Sequence, residues 1–263
     1  MVSNFRNFND TNEKVKLLYK KAREKQTLSY VKKKLYENLK RKKEIINIWE
    51  VVDKLSEFID VSDPDVNIPN AHHLFQTAEE ARKEGMPDWF QLVCLLHDMG
   101  KIMFLWGNDE DGSTVKNQWG IVGDTFIVGT HIPNTIVYSE FNELNPHNKN
   151  GLYDNYYNGC GLNMCYISWG HDEFMYYVLK NNKNNIPEEG YYIIKYHSLY
   201  LWHYHNEYSY YENAKDRRMK KWVKTFNNFD LYTKVDLKTD INELKKYYSK
   251  LVLKYFKTED LYW

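Results

Sequence analysis

The stretch at residues 92–101, LVCLLHDMGK, constrains the fold of this chain more than any other segment. It is an apolar helix turn that ends in two side chains able to bind a metal ion, His97 and Asp98. An ionised carboxylate in apolar surroundings is costly unless a cation or several hydrogen bonds compensate its charge. The dipeptide alone allows two interpretations, a metal site at a helix end or a buried His–Asp hydrogen-bonded pair. A metal site would need further ligands from elsewhere in the chain.

The positions around this dipeptide indicate how such a site could be arranged. Adjacent side chains on a helix point about 100° apart, so His97 and Asp98 can share one metal near the helix end or serve two neighbouring metals. The carboxylate has two oxygens and can bridge. Gly100 fits a helix that stops here, and Lys101 follows Asp98 by three residues, on the same side. We therefore expect an ammonium group beside the metal.

Composition limits the class of protein. The chain of 263 residues and 31.8 kDa suits one large domain or two small ones. Its 36 basic and 36 acidic residues balance, so no general electrostatic attraction to nucleic acid or an anionic membrane is expected. Cys94, Cys160 and Cys165 form no C-x-x-C pair, which favours a reducing compartment. Since no signal-peptide or transmembrane run occurs, we expect a cytoplasmic protein.

Apolar spacing predicts a mainly helical, all-α domain. Residues 1–58 would form an N-terminal helical cover and lid, and residues 59–263 a metal-binding helical core in one catalytic domain. Asn70, Ser168 and Asp240 are candidate N-caps, and residues 106–166 read as loops. The predicted helical segments are 12–46 (one or two helices), 46–58, 70–83, 88–100, 168–182, 191–204, 220–233 and 241–256.

Further ligand candidates lie in the other helical segments. The histidines in apolar helical surroundings are His73, His97, His171 and His197. Asp172 follows His171 in the opening turn of a helix, where acids are favoured by the dipole and usually face water, so we interpret it as a helix-start acid. His203 and His205 run into a polar segment and are expected to be exposed. Asp230 lies on an apolar face, where its partner is either Lys234 at i,i+4 or a metal.

The donor set indicates which metals fit. Four imidazoles and two carboxylates are too many for one catalytic zinc, which typically has three protein ligands. Mixed nitrogen and oxygen ligands without thiolate suit a pair of iron or manganese ions. If Asp98 bridges, the remaining five ligands divide as three and two. The metal with fewer protein ligands would keep positions open for a substrate.

Several long motifs then resemble one family. LLHDMGK, NIPNAHHLFQTAE, IVGDTF, ISWGHDE, KYHSLYLWH and FNNFDLYTK, in this order, are similar to the motifs of myo-inositol oxygenase, a helical member of the HD-domain superfamily. The resemblance runs over residues 5–263. It implies an HD-domain-like bundle around a non-haem Fe(II)/Fe(III) di-iron centre. It also implies an oxidoreductase that cleaves myo-inositol with one O2 to D-glucuronate, without an external reductant, as the first step of inositol catabolism.

The resemblance also implies roles for individual residues. Asp98 and Lys101 would be catalytic, and Lys234 would lie beside the metals. The second histidine of HHLFQTAE, His73 and not His72, aligns with the family ligand. The implied iron ligands are His73, His97, Asp98, His171, His197 and Asp230. The implied substrate contacts are Arg6, Asp60, Ser62, Lys101, Gly123, Asp124, His197 and Ser198.

Other interpretations remain open at this point. Asp60 and Ser62 could form an Asx or Ser turn without a ligand, and Gly123–Asp124 could be a tight turn. Residues 107–119 depart from the family pattern as a longer, acidic excursion, which puts substrate closure in question more than chemistry. A rival HD-type enzyme would be a metal-dependent phosphohydrolase, and a rival without catalysis would be an inositol or metal sensor. We expect a monomer that binds myo-inositol and neither nucleic acid nor a membrane.

Overall fold

Helices dominate the protein, as the apolar spacing predicts. The computed structural model describes residues 8, 11–63, 68–150, 155–232 and 240–263. Its α-helices are α1 (Glu13–Lys25), α2 (Leu28–Lys40), α3 (Ile48–Leu55), α4 (Asn70–Lys83), α5 (Asp88–Leu96), α6 (Pro146–Asn150), α7 (His171–Asn181), α8 (Glu188–Tyr196), α9 (Tyr200–His203), α10 (Ala214–Tyr232) and α11 (Ile241–Phe256). Shorter 3-10 helices cover Met99–Trp106, Ser139–Leu144, Leu162–Met164 and Ser209–Tyr211. The expected mainly helical fold is confirmed.

The N-terminal segment forms two capped helices. The Asn12 side chain accepts hydrogen bonds from the first turn of α1, and Thr27 does so for α2, which satisfies backbone donors that a helix start leaves unpaired. α1 packs against the 3-10 helix Ser139–Leu144. Arg23 of α1 is fully buried there and donates to the Val137 carbonyl at 2.9 Å and to Asn142 Oδ1 at 3.1 Å. These bonds fix α1 beside the pocket described below.

α5 lies at the centre of the helical core. It packs against α4, α8, α10 and α11, so that residues 90–96 are buried on every side. This explains why its sequence is apolar around the whole helix. The 3-10 helix Met99–Trp106 follows directly and packs against α7. Gly100 permits this approach, because a Cβ at that position would lie 2.2 Å from the His171 carbonyl oxygen.

A short antiparallel sheet joins the segment before α3 to the residues that follow α11. β1 (Ile45–Asn47) pairs with β2 (Asp260–Tyr262), with Ile46 opposite Leu261. Trp263 follows β2, is buried, and donates its indole N–H to the Ile46 carbonyl at 3.1 Å. Helical periodicity did not indicate this pair, since each strand has only three residues.

Two of the predicted helix caps were wrong. Asn70 is the first residue of α4, after Pro69, and its side chain does not cap the helix. α7 begins at His171 after Gly170, while Ser168 Oγ accepts a hydrogen bond from the Phe126 N–H. In both cases a tertiary partner replaces the local one. Asp240, by contrast, caps α11 as predicted. None of the helices within the described ranges combines the length and apolarity needed to cross a membrane.

Candidate metal centre and adjoining pocket

The predicted ligand residues converge from five helices and helix ends. His97 ends α5 and Asp98 follows it, His171 begins α7, and His197 ends α8. His73 lies in α4 and Asp230 in α10. His72 is exposed, whereas its neighbour His73 is partly buried. The structure therefore brings together all six side chains that the sequence analysis proposed as ligands.

Backbone carbonyl groups orient the three buried imidazoles. Each of these rings has its Nδ1 atom within hydrogen-bond distance of a carbonyl oxygen, so Nδ1 carries the proton and donates it. The pairs are His97 with Cys94 at 2.7 Å, His171 with Ile121 at 2.7 Å, and His197 with Ile194 at 3.1 Å. This leaves the Nε2 atoms directed inward. Metal-binding histidines in proteins are held in the same way.

Asp98 joins two groups of donors. Its Oδ1 lies 3.1 Å from His171 Nε2 and 3.7 Å from His197 Nε2. Its Oδ2 lies 3.4 Å from His97 Nε2 and 3.9 Å from His73 Nε2. The two oxygens of one carboxylate thus face different pairs of imidazoles.

Two neighbouring metal positions are compatible with these donors. His73, His97 and Asp98 form one group whose ligand atoms lie within 4.8 Å of one another, and Asp98, His171 and His197 form another. Asp230 belongs to the first half, since its Oδ1 lies 2.9 Å from His73 Nε2 and 3.3 Å from His97 Nε2. We call these the first half and the second half of the centre.

The donor chemistry fits a cation. His97 Nε2 is buried and has no hydrogen-bond partner in the described part of the chain. Phe226 packs against the rings of His97 and His197, with centroids 5.1 and 5.6 Å away, and keeps that side apolar. Nitrogen and carboxylate ligand atoms that lie 2.9–3.9 Å apart in buried surroundings need a positive charge among them.

Without a metal, bound protons supply that charge. Burial lowers the pKa of His97, but Asp98 and Asp230 outweigh it and raise the pKa to about 10. Burial also lowers the pKa of His171, while Asp172 and Asp98 raise it to about 10. Burial raises the pKa of Asp98, yet His97 and Lys101 hold it well below its usual range. A metal ion must therefore displace protons in order to bind.

Lys101 connects the metal centre to the pocket. Its buried ammonium donates to Asp98 Oδ2 at 2.6 Å, to Asp60 Oδ2 at 2.6 Å and to Asn70 Oδ1 at 3.0 Å. Burial lowers its pKa, but Asp60 and Asp98 outweigh burial and raise it above the usual value. The Lys101 ammonium thus lies beside Asp98, as the three-residue spacing predicts, and Asn70 accepts a hydrogen bond from it instead of capping a helix.

A cavity of about 90 Å³ opens directly over the imidazoles. The proposed substrate contacts that lie within the described residues all line it. Its further lining includes Tyr19 of α1 and Tyr200 of α9. The lining residues from the sequence analysis are Asp60, Ser62, Lys101, Gly123, Asp124, His197 and Ser198. Arg6 and Lys234 lie outside the described residues.

The Asp60–Ser62 loop combines a turn with a pocket wall. Asp60 Oδ1 accepts hydrogen bonds from the Ser62 N–H at 2.8 Å and from Ser62 Oγ at 2.6 Å, as in an Asx turn. Asp60 Oδ2 remains directed at Lys101. Gln118 holds the loop from behind, because it donates to the Ile59 carbonyl at 3.0 Å and accepts from the Val61 N–H at 3.1 Å. The turn and the pocket interpretation are therefore compatible.

Gly123 and Asp124 form the opposite wall. Gly123 has φ +101°, a backbone conformation that favours glycine, and a Cβ there would lie 3.3 Å from the Tyr19 ring. Tyr19 OH donates to Asp124 Oδ1 at 3.3 Å. A tight backbone turn thus presents a carboxylate at the cavity.

Two side chains near the centre contradict the sequence predictions. Asp172, interpreted as a solvent-facing acid, is buried, with Oδ1 2.9 Å from His171 Nε2 and 3.1 Å from His197 Nε2. His203, expected to be exposed, is buried and donates to the His197 carbonyl at 2.8 Å, whereas His205 is exposed as predicted. Both errors arose because local polarity was used where tertiary packing decides.

Gln118 was missed altogether by the sequence analysis. It belongs to residues 107–119, the segment that departs from the family pattern. That segment docks on α2, where Lys34 Nζ lies 2.7 Å from Asp111 Oδ2 and Tyr30 OH donates to the Asp111 carbonyl at 2.8 Å. A buried glutamine at the end of an acidic loop gives no signal in a single sequence.

Known proteins of one family are similar to this chain in sequence. A family model described as myo-inositol oxygenase matches residues 12–263. An inositol oxygenase of Danio rerio is 44% identical over 95% of this chain and 90% of its own length. One from Dictyostelium discoideum is 39% identical over 100% of this chain and 90% of its own length. One from Mus musculus is 41% identical over 92% of this chain and 85% of its own length.

Proposed function

The chain belongs to the myo-inositol oxygenase family, an oxidoreductase family, and we propose that its metal centre binds a pair of iron ions and cleaves myo-inositol with O2. The product is D-glucuronate, and the reaction is the first step of inositol catabolism. The residues that hold the iron ions are His73, His97, Asp98, His171, His197 and Asp230. Asp98 is shared between the two positions.

One observation carries this proposal. The oxygens of Asp98 face two separate pairs of imidazoles, while Lys101 donates to the same carboxylate. A shared carboxylate with nitrogen ligands on both sides would suit a pair of iron or manganese ions. When bound, the iron pair supplies O2 activation and one-electron steps, as Fe(II)/Fe(III).

The electron balance agrees with the residues present. Inositol plus O2 gives glucuronic acid plus water, a four-electron oxidation in which the substrate supplies every electron. No nicotinamide or flavin is needed, and the sequence has no Gly-rich dinucleotide fingerprint.

The cavity supplies hydrogen bonds to a neutral polyol. Asp60 and Asp124 accept hydrogen bonds from the substrate hydroxyl groups, and the Ser198 hydroxyl forms a further hydrogen bond with them. The backbone at Gly123 allows the substrate to approach closely. Lys101 stays charged at neutral pH, since its pKa is raised, and stabilises negative charge that develops on a substrate hydroxyl. Together these groups set which carbon–carbon bond faces the metals.

The N-terminal part serves as a cover within one catalytic domain. Tyr19 of α1 lines the cavity and donates a hydrogen bond to Asp124, so α1 forms part of the pocket wall. The family resemblance further implies that Arg6 contacts the substrate and that Lys234 has a supporting role at the metals. The described cysteines are free thiols, which supports a protein of the reducing cytoplasm.

A phosphohydrolase fits the cavity less well. Among the described residues that line it, Lys101 is the only lysine or arginine, and it already faces two carboxylates. A phosphate monoester would meet Asp60 and Asp124 with too little positive charge to offset them. The charge of the cavity therefore favours a neutral polyol.

Oxygen uptake tests the proposed function. Iron-loaded, partly reduced protein should consume O2 only when myo-inositol is added, with glucuronate formed in equal amount. His73→Ala should abolish turnover, while His72→Ala, the matched change at the exposed neighbour, should not. Phosphatase activity with Mg²⁺ and no O2 uptake would refute the oxygenase. Turnover that survives His73→Ala would refute the ligand assignment, and iron binding without any turnover would favour a sensor.

A further inference from the structure

Asp172 is a buried carboxylate to which the reaction described above assigns no role. Its Oδ1 lies 2.9 Å from His171 Nε2 and 3.1 Å from His197 Nε2, and it accepts a hydrogen bond from Ser198 Oγ at 3.1 Å. Its Oδ2 is buried and has no hydrogen-bond partner among the described residues. A carboxylate this poorly solvated is expensive unless a positive charge lies beside it.

The position of Asp172 matches that of Asp230 in the other half. Asp230 Oδ1 lies 2.9 and 3.3 Å from the two Nε2 atoms of the first half, and Asp172 Oδ1 lies 2.9 and 3.1 Å from those of the second. Each half therefore has a pair of imidazoles and a carboxylate of its own, with Asp98 between them. Without Asp172, the only carboxylate of the second half would be Asp98, which it shares with the first half.

The two imidazoles beside Asp172 both direct their Nε2 atoms toward its carboxylate. His171 and His197 donate through Nδ1 to backbone carbonyl groups, so their Nε2 atoms carry lone pairs once the bound protons have left. The two Nε2 atoms are themselves 3.1 Å apart. This cluster of acceptors favours a cation, and an additional negative charge favours a cation of higher charge.

We propose that Asp172 is a positioning residue of the second half, which holds Ser198 toward the cavity and supplies negative charge that stabilises the oxidised, mixed-valent form of the iron pair relative to the diferrous form. This inference rests on the proposed iron pair. It concerns the balance between Fe(II) and Fe(III), which the charge and hydrogen bonds around the ligands control. Substrate orientation through Ser198 is its second consequence.

A redox titration of the substrate-free, iron-loaded protein tests the role. Dithionite and ferricyanide set the potential, and electron paramagnetic resonance follows the mixed-valent form. Asp172→Asn keeps the volume and removes the charge, so the oxidised form should lose at least tenfold in stability relative to the diferrous form. For one electron this raises the midpoint potential by about 59 mV.

Two further variants separate charge from structure. Glu173→Gln changes the adjacent buried acid, which pairs with Lys195 at 3.5 Å instead of the imidazoles, and should leave the potential unchanged. Ser198→Ala removes the donor to Asp172 and concentrates its negative charge, so the potential should fall. If the Asp172→Asn protein retains no iron, the direction of the Ser198→Ala shift decides the test.

The outcomes distinguish this inference from the proposed function. Wild-type protein without an iron pair or without inositol-dependent O2 uptake would contradict the proposed function. Wild-type protein with both, together with equal potentials in wild type, Asp172→Asn and Ser198→Ala, would overturn the role of Asp172 alone. A rise in potential for both variants would also overturn it, because general loosening of the site would move them together.

Discussion

Replacing Lys101 by methionine tests the charge network between the metal centre and the pocket. Methionine keeps a flexible apolar side chain but removes the ammonium, which donates at 2.6 Å to both Asp98 and Asp60. All three side chains are shielded from solvent, since their exposed fractions are 5%, 5% and 16%. The variant leaves the two carboxylates facing each other across the site without their shared cation.

The structure sets the expected size of the effect. Removing one partner of a buried ion pair costs about 3–5 kcal/mol, largely because the remaining charge is left uncompensated. We expect the free energy of unfolding of the metal-free Lys101→Met protein to fall by about that amount. Without metal, the protonated imidazoles of His97 and His171 compensate Asp98 only in part. Bound metal ions compensate it fully and leave only Asp60 without a cation, so the loss should shrink to roughly 2 kcal/mol in the metal-loaded protein.

Urea denaturation measures both values, with Mn²⁺ as a redox-inert ion for the loaded protein. Lys195→Met is the matched control, because Lys195 is also a buried lysine but has its acidic partner, Glu173, at the longer distance of 3.5 Å. Its loss should be smaller, about 1 kcal/mol, and independent of the metal. Equal losses in the two variants, or a Lys101→Met loss that bound metal leaves unchanged, would refute the reasoning.

The remaining predictions concern protons and packing at the centre. The pKa values of His97 and His171 are raised to about 10 without metal, so metal binding at pH 7 should release roughly two protons. Calorimetry in buffers of different ionisation enthalpy measures that number. The metal affinity should rise with pH up to about 10. Metal-free stability from these protonated imidazoles is complete below pH 6.5 and lost through pH 10, which thermal melts across that range can follow. Gly100→Ala should lower the free energy of unfolding by about 1–3 kcal/mol and weaken metal binding, since its Cβ would meet the His171 carbonyl. Gly85→Ala is the control, at φ +69° in open space. It should lower the free energy of unfolding by about 1–2 kcal/mol in urea denaturation and leave the metal affinity unchanged. Phe226→Ala should cost about 3–5 kcal/mol and weaken metal binding in the same assays, and unaltered affinity would show that the ring does not position the imidazoles.

Much of the centre could be predicted because its signals are local. The apolar run that ends in His97 and Asp98 marks a buried helix end, and α5 is buried on every side as that run requires. Lys101 follows at a spacing that places it beside Asp98, and Lys101 Nζ lies 2.6 Å from Asp98 Oδ2 in the structure. The family resemblance separated His73 from His72, which periodicity alone could not do.

The errors have one physical cause, which is that tertiary contacts override local preference. Asp172 has the sequence context of a helix-start acid, yet α7 begins inside the protein and buries it. Asn70 has the side chain of an N-cap, but the ammonium of Lys101 uses its oxygen. Gln118 supports the Asp60 loop from a segment more than fifty positions away in sequence. Each of these contacts depends on a distance between elements that no single segment encodes.

Iron content per chain, measured together with the electron paramagnetic resonance of partly oxidised protein, tests whether two metal ions share Asp98. We expect a pair of iron ions per chain, a mixed-valent signal that changes when myo-inositol is added, and loss of that signal in Asp98→Ala protein, because Asp98 is the residue the two halves share. A fully active protein that saturates with a single iron ion per chain, or a signal that persists without Asp98, would contradict it.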